Sequence, residues 1–369
     1  MTKRTISFHR PAIGETEIAA VANVMRSGWL TTGPTTAAFE KQFAEYLGAP
    51  HAVAVNSCSS GLQLALKALD IGPGDEVITS PVTYCATVLA ILHTGATPVL
   101  ADVGSDDNLD PASVESRLSP RTKALLPVHL AGAPCDMDAL SDIAQRHRLL
   151  VVEDAAHALA ARYGGRRVGS RRVGDDPRSD AAVFSFYATK ALATGEGGMI
   201  SAHRPEFAQR LRRLRNHGIG ARQGWRYSVE EQGFKFNLSD IHSAIGIEQL
   251  KRQEEFLASR ARCAAIYAEE LRDSGVGLPT AVPGHCWHLY RIAVPSRDAF
   301  IERMKERGVE CSVHFIPIPL HPAFAGIAGG DDCPRALAQF ENSVSLPIYP
   351  GMPDDDVRYV AACVRECIK

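Results

Sequence analysis

The sequence lacks the features that identify several common protein classes. Its nine cysteines are odd in number and include no CxxC pair with the spacing of a zinc site, a pattern typical of a reducing compartment. No stretch approaches the roughly 20 apolar residues that span a bilayer, and residues 1–17 lack the apolar core of a secretory signal. We therefore expect a soluble cytoplasmic protein that has no metal site and no membrane partner.

The sequence also lacks an excess of charge of either sign. Lys and Arg together number 40 and Asp and Glu 42, which gives a formal net charge of -2. We expect no nucleic-acid partner, because binding to a phosphate backbone needs a basic surface. No GxGxxG motif follows the first predicted strand, and neither GxxxxGKS nor GxxxxGKT occurs, which argues against a nucleotide-dependent dehydrogenase or kinase.

The composition is that of a large globular protein. The 369 residues are 45% hydrophobic and 22% charged, which is enough for two domains, or for one large domain with a smaller one. Between about residues 40 and 200, helical patterns alternate with β-rich runs at 51–57, 76–80, 96–103, 123–130, 148–155 and 181–186. This alternation predicts an α/β fold whose mainly parallel sheet is sandwiched by helices.

The pattern changes after Asn237. A long helical stretch covers about residues 239–271 and is followed by HLYRIAVP, the helix-like DAFIERMKERG and GVECSVHF. These elements predict a smaller α+β domain. We place the boundary near residue 250, which gives a large domain of residues 1–250 and a small C-terminal domain of residues 251–369.

Two segments of the large domain carry polar side chains at the ends of predicted strands. NSCSSG (56–61) follows a strand and opens a helix, so its free N–H groups and hydroxyls could bind phosphate, although serine is also a routine helix N-cap. VVEDAAHA (151–158) places Asp154 at the end of a buried strand, where open α/β sheets bind ligands. Asp154 could equally cap a helix.

A third segment, FSFYATK (184–190), places Lys190 between a β-prone run and the glycine-rich ATGEGG (193–198). A partly desolvated lysine can lose its proton and form an imine, whereas a solvated lysine would be an ordinary surface residue. A phosphate-binding turn, a carboxylate and a lysine are together the three anchors of pyridoxal 5′-phosphate (PLP). The three segments therefore indicate a PLP enzyme.

A series of further motifs extends across nearly the whole chain: SGWLTTGP (27–34), NSCSSGLQLAL (56–66), GPGDEVITSPVTYCAT (72–87), VHLAGAPCDMDAL (128–140), VVEDAAHA, FSFYATK, RNHG (215–218), GFKFNLSDIHSAIGIEQL (233–250) and SVHF (312–315). In these motifs the chain resembles the DegT/StrS family of sugar aminotransferases. The resemblance implies fold type I of the PLP-dependent transferases, the architecture of aspartate aminotransferase.

The resemblance also implies a role for each matching residue. Lys190 matches the lysine that holds PLP covalently, and Asp154 matches the partner of the pyridine nitrogen. The other residues implied to contact the cofactor within the same chain are Ser57, Cys58, Tyr84, His157 and Ser185. Among these, Ser57, the backbone N–H of Cys58 and Ser185 match phosphate ligands. Tyr84 matches an aromatic residue stacked on the ring, and His157 occupies a position near the 3′-hydroxyl.

Two further residues concern the partner subunit and the substrate. Asn237, in KFNLSD, matches an asparagine that reaches the phosphate of the neighbouring subunit's cofactor, which implies an obligate homodimer with shared active sites. His314 could line the sugar site, or it could be a structural histidine. The chain departs from the family where the doubled RRVG of residues 165–180 expands a short link, and we interpret this segment as a solvated loop.

The expected activity is transfer of an amino group from L-glutamate to a nucleotide-linked keto-sugar. Lys190 favours amino transfer, because family members that deoxygenate sugars carry histidine at this position. SGWLTTGP and SVHF resemble the family members that act on 4-keto sugars, and this resemblance favours C4 of an NDP-4-keto-6-deoxyhexose. The alternatives are a 3-keto sugar, a 4-keto pentose or a keto-cyclitol as acceptor, and a non-catalytic regulatory protein on the same fold.

Overall fold

The computed structural model describes residues 4–163, 171–221 and 223–368. Within these residues the strands are β1 (His51–Val55), β2 (Glu76–Thr79), β3 (Thr97–Leu100), β4 (Thr122–Leu126), β5 (Leu150–Asp154), β6 (Ala181–Ser185), β7 (Gly198–Ala202), β8 (Tyr290–Ala293) and β9 (Ser343–Leu346). The helices are α1 (Glu15–Ser27), α2 (Pro34–Leu47), α3 (Cys58–Ala68), α4 (Cys85–Leu92), α5 (Pro111–Ser116), α6 (Met137–His147), α7 (Pro205–Arg215), α8 (Asp240–Lys251), α9 (Gln253–Leu271), α10 (Arg297–Glu306), α11 (Pro334–Asn342) and α12 (Asp354–Cys367).

Seven strands form one large sheet in the order β1-β7-β6-β5-β4-β2-β3. Strands β2 to β6 run parallel, while β7 lies antiparallel to both β1 and β6. The mainly parallel sheet predicted from the sequence is confirmed. Strand β7 was not predicted, because its residues follow a glycine-rich turn and only tertiary pairing makes them a strand.

Helices bury both faces of this sheet. Successive residues of a strand point to opposite faces, so Val151 and Val152 of β5 belong to two different hydrophobic clusters. On one face Phe43 of α2 packs against Phe184 with ring centroids 5.3 Å apart. On the other face, apolar residues of α3 and α7 cover the strands. Burial on both faces explains why the strands read as continuous apolar runs.

A second, two-stranded antiparallel sheet is formed by β8 and β9. Residues of α9, α10 and α12 pack around it in a separate hydrophobic cluster that includes Tyr267, Tyr290 and Phe300. Residue 250 falls in the last turn of α8, and α9 begins two residues after α8 ends. Because Leu257 of α9 packs on the large-sheet cluster and Cys263 in the small one, α9 joins both regions. The division at residue 250 stays a prediction.

Part of the doubled RRVG segment, residues 164–170, lies outside the described residues. The described part is not simply solvated: Val173 is buried, and Arg172 pairs with Glu254 at 2.9 Å and stacks on the ring of Tyr46 at 4.1 Å. This packing corrects the interpretation of residues 171–180 as an exposed loop, because paired arginines can lie against the body of the protein.

All nine cysteines carry free thiols. Across residues 4–163, 171–221 and 223–368, no helix combines the length and the apolar character needed to cross a membrane. The same ranges contain no cluster of three or more His, Cys, Asp or Glu side chains arranged to hold a metal ion.

Candidate active site

The carboxyl ends of the parallel strands and the turns after them enclose a cavity of about 500 Å³. A parallel sheet brings these strand ends to one edge, so residues that are far apart in sequence meet there. Of the residues nominated from the sequence, the cavity lining includes Ser57, Cys58, Tyr84, Asp154, His157, Ser185, Lys190 and His314. The structure thus brings together all of these residues except Asn237.

Lys190 lies in the turn after β6, where its backbone N–H donates to the carbonyl of Tyr187 at 2.8 Å. Its half-buried side chain reaches the cavity. Burial lowers the pKa of Lys190 from 10.5 to about 8, although the Cys58 thiol and the Asp154 carboxylate act in the opposite direction. An appreciable fraction of this amine is therefore uncharged near neutral pH, which is the form that attacks a carbonyl carbon.

Asp154 is the last residue of β5 and is 5% exposed. Its Oδ2 accepts a hydrogen bond from Thr87 Oγ1 at 2.7 Å, and its Oδ1 accepts one from the backbone N–H of Ala156 at 3.1 Å. Burial raises the pKa of Asp154, while these two hydrogen bonds and the charge of Lys190 oppose that rise. A carboxylate has about four acceptor positions, so Asp154 can still accept from a cationic ring N–H.

The N-terminus of α3 forms another part of the cavity wall. Ser57 is its N-cap, and Ser57 Oγ accepts from the backbone N–H of Ser60 at 3.1 Å. The N–H groups of Cys58 and Ser59 lie in the first turn, where no intrahelical carbonyl can accept them, so they are suited to an anion. Gly198 allows this close approach of β7, because an added Cβ would lie 2.8 Å from the backbone N of Cys58.

The thiol of Cys58 is buried, whereas its backbone N–H is available to a ligand. Its Sγ lies 3.7 Å from the carbonyl oxygen of Val183, on the buried side of the helix. Burial raises the pKa of this thiol well above its usual value. The side chain is therefore a packed, neutral group, and only the backbone N–H of Cys58 is suited to bind phosphate.

His157 presents a ring N–H group at the cavity, and Ser185 presents a hydroxyl. The backbone N–H of Ala131 donates to His157 Nδ1 at 3.3 Å, which assigns the ring proton to Nε2. Burial lowers the pKa of His157 well below its usual value, and the charge of Lys190 adds to this effect. His157 is thus a neutral donor. Ser185 Oγ accepts from the backbone N–H of Tyr187 at 3.4 Å, so its own proton can be donated elsewhere.

Aromatic side chains form the mouth of the cavity. Tyr84, at the N-cap of α4, is 63% exposed, and its ring centroid lies 5.9 Å from that of Phe315. His314 Nδ1 lies 3.0 Å from Ser345 Oγ, and its ring stacks on Phe8 at 5.3 Å. Burial lowers the pKa of His314 to about 4, with Lys190 contributing. A flat, neutral surface is therefore available for a ring-shaped ligand.

Asn237 lies outside the cavity lining. Its Nδ2 donates to Thr32 Oγ1 at 2.5 Å, and its backbone bridges to Val55 at the end of β1. Thr32 belongs to the SGWLTTGP segment, in which Trp29 is 55% exposed. A role for Asn237 at a neighbouring subunit's site stays a prediction.

The structure adds residues that the sequence reasoning missed: His9, Thr83, Thr87, Glu196 and His288 also line the cavity. The motif PVTYCAT contained both threonines: Thr87 lies in the first turn of α4 and Thr83 comes just before the N-cap residue Tyr84, so their spacing of four could have indicated a polar pair at the start of a helix. No sequence signal placed His9 or His288 here. His9 comes from the N-terminal segment, where its Nε2 lies 3.2 Å from the carbonyl oxygen of Ala188.

Comparisons with known proteins agree with this architecture. The model of the DegT/DnrJ/EryC1/StrS aminotransferase family matches residues 11–365. The chain is 43% identical to the spore coat polysaccharide biosynthesis protein SpsC of Bacillus subtilis strain 168, covering 99% of this chain and 97% of that protein.

Solved structures give the same result and confirm the fold type I prediction. S. venezuelae DesV in complex with a ketimine intermediate is 42% identical with a TM-score of 0.89, covering 95% of this chain and 93% of that chain. The PLP form of Spr1654 from Streptococcus pneumoniae is 31% identical with a TM-score of 0.92, covering 99% of this chain and 98% of that chain. The chain is therefore an aminotransferase and belongs to the DegT/DnrJ/EryC1/StrS aminotransferase family.

Proposed function

We propose that this protein is a PLP-dependent aminotransferase that moves an amino group from L-glutamate to a nucleotide-linked keto-sugar. The observation that carries the proposal is that Lys190, Asp154 and the N-terminus of α3 open onto one cavity. These are an amine, a carboxylate and an anion-binding helix end, the three groups that PLP requires. PLP in the structure of Spr1654 supports the same cofactor here.

Each polar part of PLP would have a matching group in the cavity. Asp154 would hold the pyridine nitrogen through a charge-assisted hydrogen bond. Ser57, Ser185 and the N–H groups of the first turn of α3 would hold the phosphate. His157 Nε2–H would donate to the 3′-oxygen, and Tyr84 would cover the ring. PLP, when bound, supplies an electron sink for the carbon that carries the amino group.

In this proposal Lys190 has two tasks. Its neutral amine binds the cofactor covalently, and when released it is the base and acid that moves the proton between the amino-bearing carbon and C4′. A pKa near 8 suits both, because the amine can give up and accept a proton close to physiological pH. Asp154 stays ionised throughout and stabilises positive charge on the pyridine nitrogen.

The acceptor that we propose is C4 of an NDP-4-keto-6-deoxyhexose. The similarity to SpsC, a polysaccharide biosynthesis protein, supports a sugar. The resemblance of SGWLTTGP and SVHF to members that act on 4-keto sugars supports C4, and His314 of the second motif lines the cavity. A 3-keto sugar, a 4-keto pentose or a keto-cyclitol would use the same PLP site and differ only in contacts at the mouth.

We further propose that the enzyme is a cytoplasmic homodimer in which Asn237 completes the partner's phosphate site. Asn237 lies outside its own cavity and donates to Thr32, whose carbonyl oxygen accepts from the exposed Trp29, and this position supports the arrangement. The exposed side chains near Asn237 would then be covered by the second subunit.

Two measurements test the proposal. With L-glutamate, the purified protein should convert an NDP-4-keto-6-deoxyhexose to the 4-amino sugar and 2-oxoglutarate, both detected by mass spectrometry. Reaction only with a 3-keto sugar, a pentose or a cyclitol would show that the acceptor is wrong. Borohydride reduction in the presence of PLP should label the peptide that contains Lys190, in the wild type and in the surface control Lys41→Ala. An unlabelled wild-type protein would show that the cofactor assignment is wrong.

A further inference from the structure

Arg260 is a buried cation in the wall directly behind the cavity. It lies on α9 and is 1% exposed. Its Nη1 donates to three backbone carbonyls, those of Trp287 at 3.3 Å, His288 at 3.0 Å and Ile348 at 3.0 Å. His288 and Ile348 both line the cavity. Arg260 therefore contacts the far side of residues that the ligand would touch.

The charge of Arg260 is not neutralised locally. Within residues 4–163, 171–221 and 223–368, no carboxylate forms an ion pair with it, and its Nε and Nη2 have no hydrogen-bond partner. Two other buried arginines differ, because Arg215 pairs with Glu40 and Arg291 with Asp107. Burying an unpaired charge is costly, so an arginine here needs a reason beyond filling space.

The charge acts on a cavity that contains another amine. Cys58 and Asp154 act to raise the pKa of Lys190, and Arg260 acts to lower it. The charge of Lys190 in turn lowers the pKa of His9, His157, His288 and His314. The carboxylate of Glu196 also lines the cavity. Burial keeps these four histidines neutral, since it lowers the pKa of each of them. Because the histidines are neutral, Arg260 supplies the positive charge that acts on Lys190.

We propose that Arg260 is a positioning residue that acts through Lys190: its unpaired charge disfavours a second positive charge in the cavity and keeps the Lys190 amine in its neutral, nucleophilic form. The physical basis is Coulomb repulsion across a water-poor wall, where charges are weakly screened. The inference depends on the proposed function only for the task given to Lys190, and the charge effect itself exists without cofactor.

A purely structural role predicts something different. Arg260 joins the segment before β8, through Trp287 and His288, to the segment after β9, through Ile348. If this connection were its whole purpose, removal would lower stability and leave the titration of Lys190 unchanged. The test must therefore measure the proton equilibrium of Lys190 and not only activity.

The experiment is competitive acetylation of the cofactor-free protein with limiting acetic anhydride across a pH series, read by mass spectrometry on the Lys190 peptide. The wild-type midpoint is expected near the pKa of about 8. Arg260→Met should move the midpoint upward by roughly half a pH unit to one unit, which corresponds to the loss of about 0.7–1.4 kcal/mol of charge repulsion. At neutral pH, the neutral fraction should then fall by about three- to tenfold.

Two variants separate charge from geometry. Arg260→Lys keeps the charge and should retain a midpoint close to the wild type. Arg262→Met is the control on the same helix, because Arg262 is half exposed and already pairs with Asp354 at 2.8 Å, so its removal should leave the midpoint unchanged. If Arg260→Met does not fold, Arg260→Gln, which can still donate to the carbonyls, is measured in its place with the same expected shift.

An unchanged midpoint in a folded Arg260→Met or Arg260→Gln protein would overturn the inference. So would an equal shift in Arg260→Lys, because geometry and not charge would then be responsible. These outcomes are independent of PLP, and borohydride labelling of Lys190 tests the proposed function separately.

Discussion

Thr87 Oγ1 donates a hydrogen bond of 2.7 Å to Asp154 Oδ2, and Thr83 Oγ1 lies 2.7 Å from the same Thr87 oxygen. An ionised carboxylate only accepts hydrogen bonds, so the Thr87 proton must point at Asp154. Thr87 then accepts from Thr83. Both hydroxyls are buried, and the first turn of α4 thereby fixes the direction and the charge of the carboxylate at the end of β5.

Thr87→Val should weaken cofactor binding without removing the carboxylate. Loss of the hydrogen bond raises the pKa of Asp154 further, since burial already raises it and Thr87 opposes burial. A hydrogen bond to a charged group is worth about 1.5–3 kcal/mol, so we expect PLP affinity to fall by at least about tenfold, measured by fluorescence titration of the cofactor-free protein.

The matched control is Thr79→Val. Thr79 is equally buried and donates to the carbonyl oxygen of Leu126 at 2.7 Å, but it does not line the cavity. It should lose stability and keep its PLP affinity. Thr87→Ser should restore affinity. Equal PLP affinity in Thr87→Val and wild type would show that the Thr87 hydroxyl does not support Asp154.

Asp154→Asn should keep the shape of the site and remove its charge. The pyridine nitrogen would then lose its anionic partner, so we expect the half-reaction with L-glutamate to slow by at least about 100-fold, as when other electrostatic partners are removed. Stopped-flow absorbance measures this step in single turnovers.

Asp180→Asn is the control for Asp154→Asn. Asp180 accepts from the backbone N–H of Val151 at 2.9 Å, at the beginning of the same strand. This variant should fold with a modest loss of stability and react at the wild-type rate. A half-reaction in Asp154→Asn that stays within threefold of the wild type would contradict the role given to the carboxylate.

Complementation tests the shared active site. Lys190→Ala and Asn237→Asp should each be inactive, the second because the added carboxylate repels the cofactor's phosphate. If Asn237 serves the partner, a mixed dimer has one site with both defects and one with neither. Subunit exchange should then restore up to half of the normal activity per mixed dimer, measured by 2-oxoglutarate formation.

A mixture of Lys190→Ala with Asp154→Asn is the control for that experiment. Both residues line the same chain's cavity, so every site of the mixed dimer keeps one defect and no activity should return. If the Asn237→Asp mixture also fails to recover, with exchange confirmed by native mass spectrometry, Asn237 serves its own chain and the dimer proposal is incorrect.

Gly61→Ala should destabilise the protein, because α3 packs against the sheet at this point. An added Cβ would lie 2.6 Å from Val183 Cγ1 and 3.2 Å from Val55 Cγ2. Overpacking of this kind costs about 1–3 kcal/mol, and it should also displace the N-terminus of α3 and weaken PLP binding. Urea denaturation measures the first effect and PLP titration the second.

A smaller side chain at Val183, which the added Cβ would contact, should reverse the losses of stability and of PLP binding. Val183→Ala combined with Gly61→Ala should recover part of the loss, so that the two changes are not additive. Gly72→Ala is the control, since its Cβ would meet nothing closer than the Thr94 carbonyl oxygen at 3.6 Å. Gly61→Ala with wild-type stability would show that the helix can move away without cost.

Much of the fold could be predicted from the sequence, because local patterns determine it. The apolar runs that became β1 to β6 are strands buried on both faces, and such strands must be apolar along their whole length. Lys190, Asp154 and Ser57 could also be nominated from the sequence. Each lies at or after the carboxyl end of a strand, and strands that run in the same direction place their carboxyl ends at one edge of the sheet.

Only the tertiary structure decided which residues surround these anchors. The order β1-β7-β6-β5-β4-β2-β3, with β7 antiparallel, depends on pairing between distant segments and has no local signal. In the sequence Arg260 is one of two arginines on a charged helix. Its burial without a carboxylate partner follows only from the packing of α9 against the segments around β8 and β9. The sequence by itself determined the strand ends and the chemistry placed on them; the contacts that set the charge and the orientation of those groups were decided by long-range packing, because electrostatic and hydrogen-bond partners are neighbours in space and not in sequence.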